Sequence, residues 1–314
     1  MMSKKLIQSR VADSRLTLPV TFVYAIAVWL ACGLVSGGWW LQFGCFVVAY
    51  YLVMVLNNQS TLTRAYLRMA NSTFLALTCS ACFLMPDARG ACMLTALAGA
   101  YLFLFQSYQD KSGAGLTFYG FLMIGLSSMA RPQVLFFVPL VWLLMATKLL
   151  SLSWRTWSAS LLGLLTPYWF WMGWLAFQQD FGPLVSHLVT LVDFQFPIRY
   201  ADLGTGVLLV CALLAACMLT GIVHLQRKTS YNSIRVRLLY GFMIWMDLYA
   251  AAWMVLQPQH YDTLLRIIIL NTAPLTAHFL ALTATKATNA AFVVLAVLAM
   301  AITAFNVWSM SFPS

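Results

Sequence analysis

Apolar residues run along this chain in long blocks, interrupted by short clusters of charged residues, Gly, Pro or Asn. Eleven blocks stand out: 18–36, 39–56, 67–86, 90–107, 115–130, 133–148, 158–178, 204–224, 238–256, 263–284 and 288–311. They are continuous rather than alternating with period two, which excludes spanning strands and predicts helices that satisfy their own backbone inside lipid. At about 1.5 Å per residue, most reach the roughly 30 Å of a hydrocarbon core. Two are short. The blocks 115–130 and 133–148 each cover about 24 Å by the same rise and meet at Ala130-Arg131-Pro132, so the pair reads as a full or a re-entrant hairpin. The expected fold is all-α: a polytopic transmembrane helical bundle of eleven membrane segments, or nine full spans plus one re-entrant hairpin. It forms a single transmembrane domain over 1–314, with 1–17 as a cytoplasmic N-terminal segment.

The longest connection between blocks, 179–203, has its own pattern. Phe181, Leu184, Val185, Leu188, Val189 and Val192 recur at helical spacing, with Ser186, Thr190 and Asp193 opposite. That predicts an amphipathic helix over 181–195 lying in the outer membrane interface.

Charge orients the bundle. Of the 18 Lys and Arg residues, all except Arg89, Arg131, Arg199 and Arg266 fall in loops on the side of the N-terminus. The bias of basic residues toward cytoplasmic loops therefore predicts N-in/C-out. Asp87, Asp180, Asp193, Asp202 and Asp262 lie on the opposite, outer side. Composition agrees: 62% of residues are hydrophobic, 8% are charged and the mean hydropathy is +0.83, whereas soluble domains carry roughly 25% charged residues. The partner these numbers demand is a lipid bilayer. A net charge of +10 does not point to nucleic acid, because the cations sit in short loops rather than on a basic face.

The seven cysteines lie inside or at the ends of apolar blocks, which argues against an extracellular disulfide framework. Cys79-Ser80-Ala81-Cys82 is a CxxC, but thiol oxidation at a membrane edge needs a second accessible pair, and the spacing reads more simply as small helix-interface residues. No nucleotide loop, zinc motif or other metal motif is present, and no cofactor is implied.

Three groups carry candidate chemistry. Asp247 lies near the middle of its block, where a carboxyl is costly and hence a functional candidate; Asn271 and His278, on one face of the next block, are its expected partners. Arg131, Arg199 and Arg266 are expected on the outer side, where guanidinium forks suit a lipid phosphate. Asp202 is the best-placed outer acid for a general base.

Two stretches carry a resemblance. Gly125-Leu126-Ser127-Ser128-Met129-Ala130-Arg131-Pro132-Gln133-Val134-Leu135-Phe136-Phe137-Val138-Pro139-Leu140 runs on through Ser153-Trp154-Arg155-Thr156-Trp157 to Gly163-Leu164-Leu165-Thr166-Pro167-Tyr168. Ile234-Arg235-Val236-Arg237 is followed by Asn271-Thr272-Ala273-Pro274-Leu275-Thr276. Together they resemble an uncharacterised family of bacterial polytopic inner-membrane proteins, a domain of unknown function. That resemblance implies a multi-pass protein of the bacterial inner (cytoplasmic) membrane and no particular activity. The first stretch also resembles the central helices of C-type membrane glycosyltransferases, which take sugars from polyprenyl-phosphate donors on the outer face. It departs from them after the first span, where their acidic loop is replaced by Gly37-Gly38 flanked by Trp39-Trp40.

These residues lead to a non-catalytic membrane subunit of a cell-envelope complex, partnered by other envelope membrane proteins. The first alternative is a glycosyltransferase-like protein handling a polyprenyl-phosphate sugar, with Arg131, Arg199 or Arg266 on the phosphate and Asp202 as base. The second is a proton-coupled small-solute transporter using Asp247.

Overall fold

The computed structural model describes residues 6–59, 64–192, 194, 200, 203–227, 233–283 and 285–311. Helix dominates, and among the described residues there is no strand. In chain order the α-helices are α1 (Ile7–Asp13), α2 (Thr17–Ala31), α3 (Trp40–Gln59), α4 (Arg64–Ser80), α5 (Ala88–Gln106) and α6 (Ala114–Ala130). They continue with α7 (Val138–Leu144), α8 (Trp154–Gln178), α9 (Gly182–Val189), α10 (Thr205–Arg227), α11 (Ile234–Leu256), α12 (Tyr261–Leu282) and α13 (Lys286–Ser311).

Every predicted block is mostly helical among the described residues, though the helices in 18–36 and 67–86 end early, at Ala31 and Ser80, and the blocks are not equivalent. Seven segments are long and apolar enough to cross a membrane: α3, α5, Pro132–Leu149, α10, α11, Pro258–Ala281 and α13. An eighth arises if α1 and α2, bent by 92°, count as one broken span. The blocks 67–86, 115–130 and 158–178 are helical without meeting that standard. Within them α6 is 17 residues long, α4 carries Asn71, Ser72, Thr73 and Thr78, and α8 is rich in Trp, Ser and Thr.

Local chemistry explains the boundaries. Asp87 caps α5 by accepting from Gly90 N at 3.0 Å. Ser153 and Thr156 form a reciprocal capping box at the start of α8. Pro132 forces the residue before it out of the helical region, and Arg131 is extended at φ −142°, ψ 101°. The chain turns there, runs through a 3₁₀ segment (Pro132–Phe137) and α7, and ends in one π turn (Met145–Leu149).

The depth of this hairpin is visible from its ties to α5. At its base Gln109 N donates to Leu149 O at 2.8 Å, just beyond the end of α5. At its tip Arg131 meets Asp87, the N-cap of α5, at 2.7 Å. The hairpin is therefore as deep as a 19-residue helix that is itself a candidate span. Small residues let its first arm pack closely: a Cβ on Gly163 of α8 would lie 2.3 Å from Phe118 O of α6.

At the core stands α12. Of its most apolar window 94% is buried, against 22% for α13. Helices α4, α5, α10 and α11 pack around it, and one continuous apolar cluster extends from Ala12 to Ile302. Outward faces stay apolar: Trp169, Phe170, Trp174 and Phe177 of α8 are exposed, as lipid-facing positions require. Within the N-terminal segment, α1 lies against the turn joining α12 to α13. Gln8 is fully buried there and donates from Nε2 to Leu280 O at 2.5 Å and to Thr283 Oγ1 at 2.9 Å.

The predicted interfacial helix is shorter than its pattern, spanning Gly182–Val189 rather than 181–195. Its apolar positions Phe181, Val185, Leu188, Val189 and Val192 are exposed.

Candidate functional site

The tip of the hairpin brings together residues from three distant parts of the chain. Arg131 Nη2 lies 2.7 Å from Asp87 Oδ2 and 2.5 Å from Asp262 Oδ2. Arg266, one turn into α12 from Asp262, reaches the same Asp87 oxygen at 3.4 Å and donates to Leu84 O at 2.6 Å. The four side chains are not surface decorations: Arg266 is 8% exposed, and the other three are between 23% and 28% exposed. Charges removed from water to this extent must be paired. Two arginines and two carboxylates neutralise one another here.

Gly90 makes the arrangement possible. A Cβ at this position would fall 2.4 Å from Arg266 Nε and 2.3 Å from Asp87 Oδ2. Burial alone would push the Asp87 carboxyl up. The Arg131 hydrogen bond and the charges of Arg131 and Arg266 outweigh it, so the group sits below the usual carboxylate range.

Beside this cluster opens a cavity of about 490 Å³, lined by Arg89, Met129, Ala130, Arg131, Pro132, Gln133, Trp171, Pro183, Ser186, His187 and Thr190. The lining explains the orientation of α9. Pro183, Ser186, His187 and Thr190 follow helical spacing and face the cavity, so the polar side of the amphipathic helix roofs it while the apolar side points away. His187 is held edge-on to Trp171 at 5.2 Å between ring centroids, with Nε2 3.4 Å from the Tyr168 hydroxyl. Burial pushes the His187 pKa down and the charge of Arg89 adds to this, against a hydrogen bond with the Ser128 backbone. The imidazole is therefore neutral at pH 7, able to donate from one nitrogen and accept at the other.

Three buried polar atoms at the site have no partner among the described residues: Arg131 Nε, Arg266 Nε and Gln133 Oε1, and such groups are ordinarily satisfied by a water or a ligand. Arg89 is exposed at the cavity mouth.

The second predicted group sits deeper. Asp247 on α11 is fully buried, and its Oδ2 accepts from Thr272 Oγ1 at 2.7 Å. Neither expected partner serves it. Asn271 turns its amide to Ile267 O of its own helix at 2.8 Å, and Asp247 Oδ1 is left without a bond. His278 belongs to another layer, with its ring 5.1 Å from Tyr240 and 5.3 Å from His224. The reason is antiparallel register. Across the α11–α12 pair, Asp247 stands opposite 272 and Tyr240 opposite 278, so the residue adjacent to Asn271 meets the carboxyl and His278 lies about 10 Å further along the axis.

Of the sequence-based candidates, Arg131 and Arg266 are brought together, whereas Arg199 and Asp202 lie outside the described residues, as does Asp193. Sequence reading placed Asp87, Arg89 and Asp262 on the outer side without joining them, Gln133 or His187 to Arg131 as one site. Signals were present in the Asp-x-x-Gly cap at Asp87 and the proline after Arg131, but their convergence is tertiary. Among the described residues no cluster of His, Cys, Asp and Glu has the makings of a metal site. Compared with family models, curated proteins and solved structures, the chain matches none significantly.

Proposed function

We propose that the chain is a non-catalytic membrane subunit of a cell-envelope complex, and that the cavity at the Arg131 tip holds the anionic head group of a membrane lipid. In this reading it crosses the bacterial inner membrane eleven times, N-in and C-out, with 115–148 as a full hairpin. The single observation that carries it is the pairing of Arg131 with Asp87 and Asp262 beside a roofed polar cavity. Both carboxylates at the site are committed to arginine, a condition suited to holding a guanidinium still rather than to moving protons. Arg131, fixed through Nη2, lines the cavity, and Arg89 adds a second guanidinium to the lining that has no ion-pair partner among the described residues. Ser186 and Thr190 line the same wall with hydroxyls that donate to Pro183 O at 3.0 Å and His187 O at 2.6 Å, so they would serve a phosphate only after rotating away from those carbonyls.

Native mass spectrometry of the full chain in mild detergent tests this. A polyprenyl phosphate and phosphatidylglycerol should each be retained more strongly than phosphatidylcholine. Equal retention of all three would remove the head-group reading. A glycosyltransferase-like protein is the second reading, favoured by the same arginines; it needs a free base at Asp202, and Asp202→Asn with undiminished complementation of a deletion strain would eliminate it.

A further inference from the structure

Besides the arginine cluster, the strongest unassigned chemistry in the molecule is a pair of thiols. Cys45 on α3 and Cys92 on α5 are 47 residues apart in the chain, yet their Sγ atoms are 3.7 Å apart. We propose that Cys45 and Cys92 form a reversible disulfide that staples α3 to α5 at the Arg131 end of the bundle, made by exchange with a disulfide-bearing oxidant.

Three observations support it. The approach of the two helices is held at this level by a second contact, Thr95 Oγ1 donating to Cys45 O at 3.0 Å. Disulfide sulfurs are bonded at about 2.05 Å, and closing a gap smaller than about 2 Å falls within side-chain rotation. The pair is also reachable. Cys92 is exposed and Cys45 half-buried, whereas Cys32, Cys79, Cys82 and Cys217 are buried. Finally, both sulfurs lie shallow. Cys92 is the fifth residue of α5 and Cys45 the sixth of α3, which places them about 6–8 Å below the helix starts, near the head-group layer where a partner sulfur can reach. That this end meets the oxidising side of the membrane rests on the N-in orientation proposed above.

The exchange balances without any group beyond the oxidant. The Cys92 thiol gives up its proton, and its sulfur attacks one sulfur of the oxidant's disulfide. The other oxidant sulfur leaves as a thiolate and takes up a proton. Cys45, deprotonated in turn, attacks Cys92 Sγ, and the oxidant departs as a dithiol carrying two electrons and two protons from the pair.

The link would be felt at the arginines. Cys92 follows Gly90 in the first turns of the helix that Asp87 caps, and the small cavity beside Cys45 is bounded by Gln42, Met85 and Arg266. Stapling α3 to α5 fixes the helix whose first residues hold Asp87 against both guanidinium groups.

The experiment exposes the reduced full chain in detergent to glutathione disulfide, blocks free thiols with N-ethylmaleimide and maps the peptides by mass spectrometry. The expected product is a Cys45–Cys92 linked peptide pair that dithiothreitol separates. Cys45→Ser should instead trap glutathione on Cys92. Wild-type protein in which Cys92 keeps its glutathione unresolved, or in which both thiols end alkylated by maleimide, overturns the proposal. Orientation is scored separately with a membrane-impermeant maleimide on sealed vesicles. Labelling of reduced Cys92 only in inside-out vesicles contradicts the N-in reading while leaving the linked pair standing.

Discussion

Asp87 and Arg131, separated by 44 residues of chain, meet at 2.7 Å where the start of one buried helix faces the tip of a hairpin. Asp87 performs two tasks at once, capping α5 through Gly90 N and neutralising two guanidinium groups. The consequences for stability and binding follow from that double role.

Removing Arg131 strands the Asp262 carboxylate and leaves Asp87 with the longer Arg266 contact alone. Arg131→Ala should lower the thermal midpoint of the detergent-solubilised protein at a cost on the order of 2 kcal/mol, below the roughly 3–5 kcal/mol expected of a fully buried pair. Asp87→Asn combined with Arg131→Gln should recover part of the loss, because one guanidinium, Arg266, and one carboxylate, Asp262, then remain within each other's field and the cluster stays neutral. A double variant no more stable than Arg131→Ala would contradict the pairing.

Acid should act on the same cluster. The folded Asp87 carboxyl lies below its ordinary range, so its contribution is fully present above about pH 4 and is lost as pH falls through the folded value. Thermal melts of the wild type between about pH 3 and 6 should show stability falling on acidification, and Asp87→Asn should flatten that slope. An unchanged slope in the variant would assign the acid sensitivity elsewhere.

Glycine at 90 is a steric requirement. Gly90→Ala drives a methyl against Arg266 Nε and Asp87 Oδ2, and overpacking of this kind costs about 1–3 kcal/mol. Gly99→Ala is the matched control on the same helix, since its nearest neighbour would be Met123 at 3.7 Å, an ordinary contact. Equal melting temperatures for the two variants would mean that the cluster yields freely.

In the membrane interior the Asp247–Thr272 bond is the feature to break. Thr272→Val leaves both Asp247 oxygens without a donor, and an unsatisfied buried polar group costs about 1–3 kcal/mol. Asp247→Asn keeps an acceptor for the Thr272 hydroxyl and should fold and melt close to the wild type. A Thr272→Val protein as stable as the wild type would show that the carboxyl finds another partner.

What the sequence disclosed, it disclosed through periodicity and punctuation. Apolar blocks located the helices because each must bury or expose a whole face to lipid, and Arg131-Pro132 marked the turn because the residue before proline avoids the helical region. The site itself was half legible. Arg131 and Arg266 could be singled out as cations among apolar residues, but nothing local says that Asp87 and Asp262 will neutralise them, since those contacts cross 44 and 131 positions. The partner of Asp247 was missed for a similar reason. Helical spacing put Asn271 and His278 on one face, but the antiparallel register of α11 and α12 presents Thr272 to the carboxyl instead. Amphipathicity at 181–192 announced a surface helix without saying that its polar side would roof a cavity.

The most direct measurement of the head-group reading is lipid retention by the wild type and by Arg89→Ala, compared side by side by native mass spectrometry. Arg89 is exposed at the cavity mouth, so the variant should melt as the wild type does while its apparent Kd for polyprenyl phosphate rises by about tenfold, the equivalent of roughly 1.4 kcal/mol. An Arg89→Ala protein of unaltered stability that holds the phosphate lipid as tightly as the wild type would contradict it.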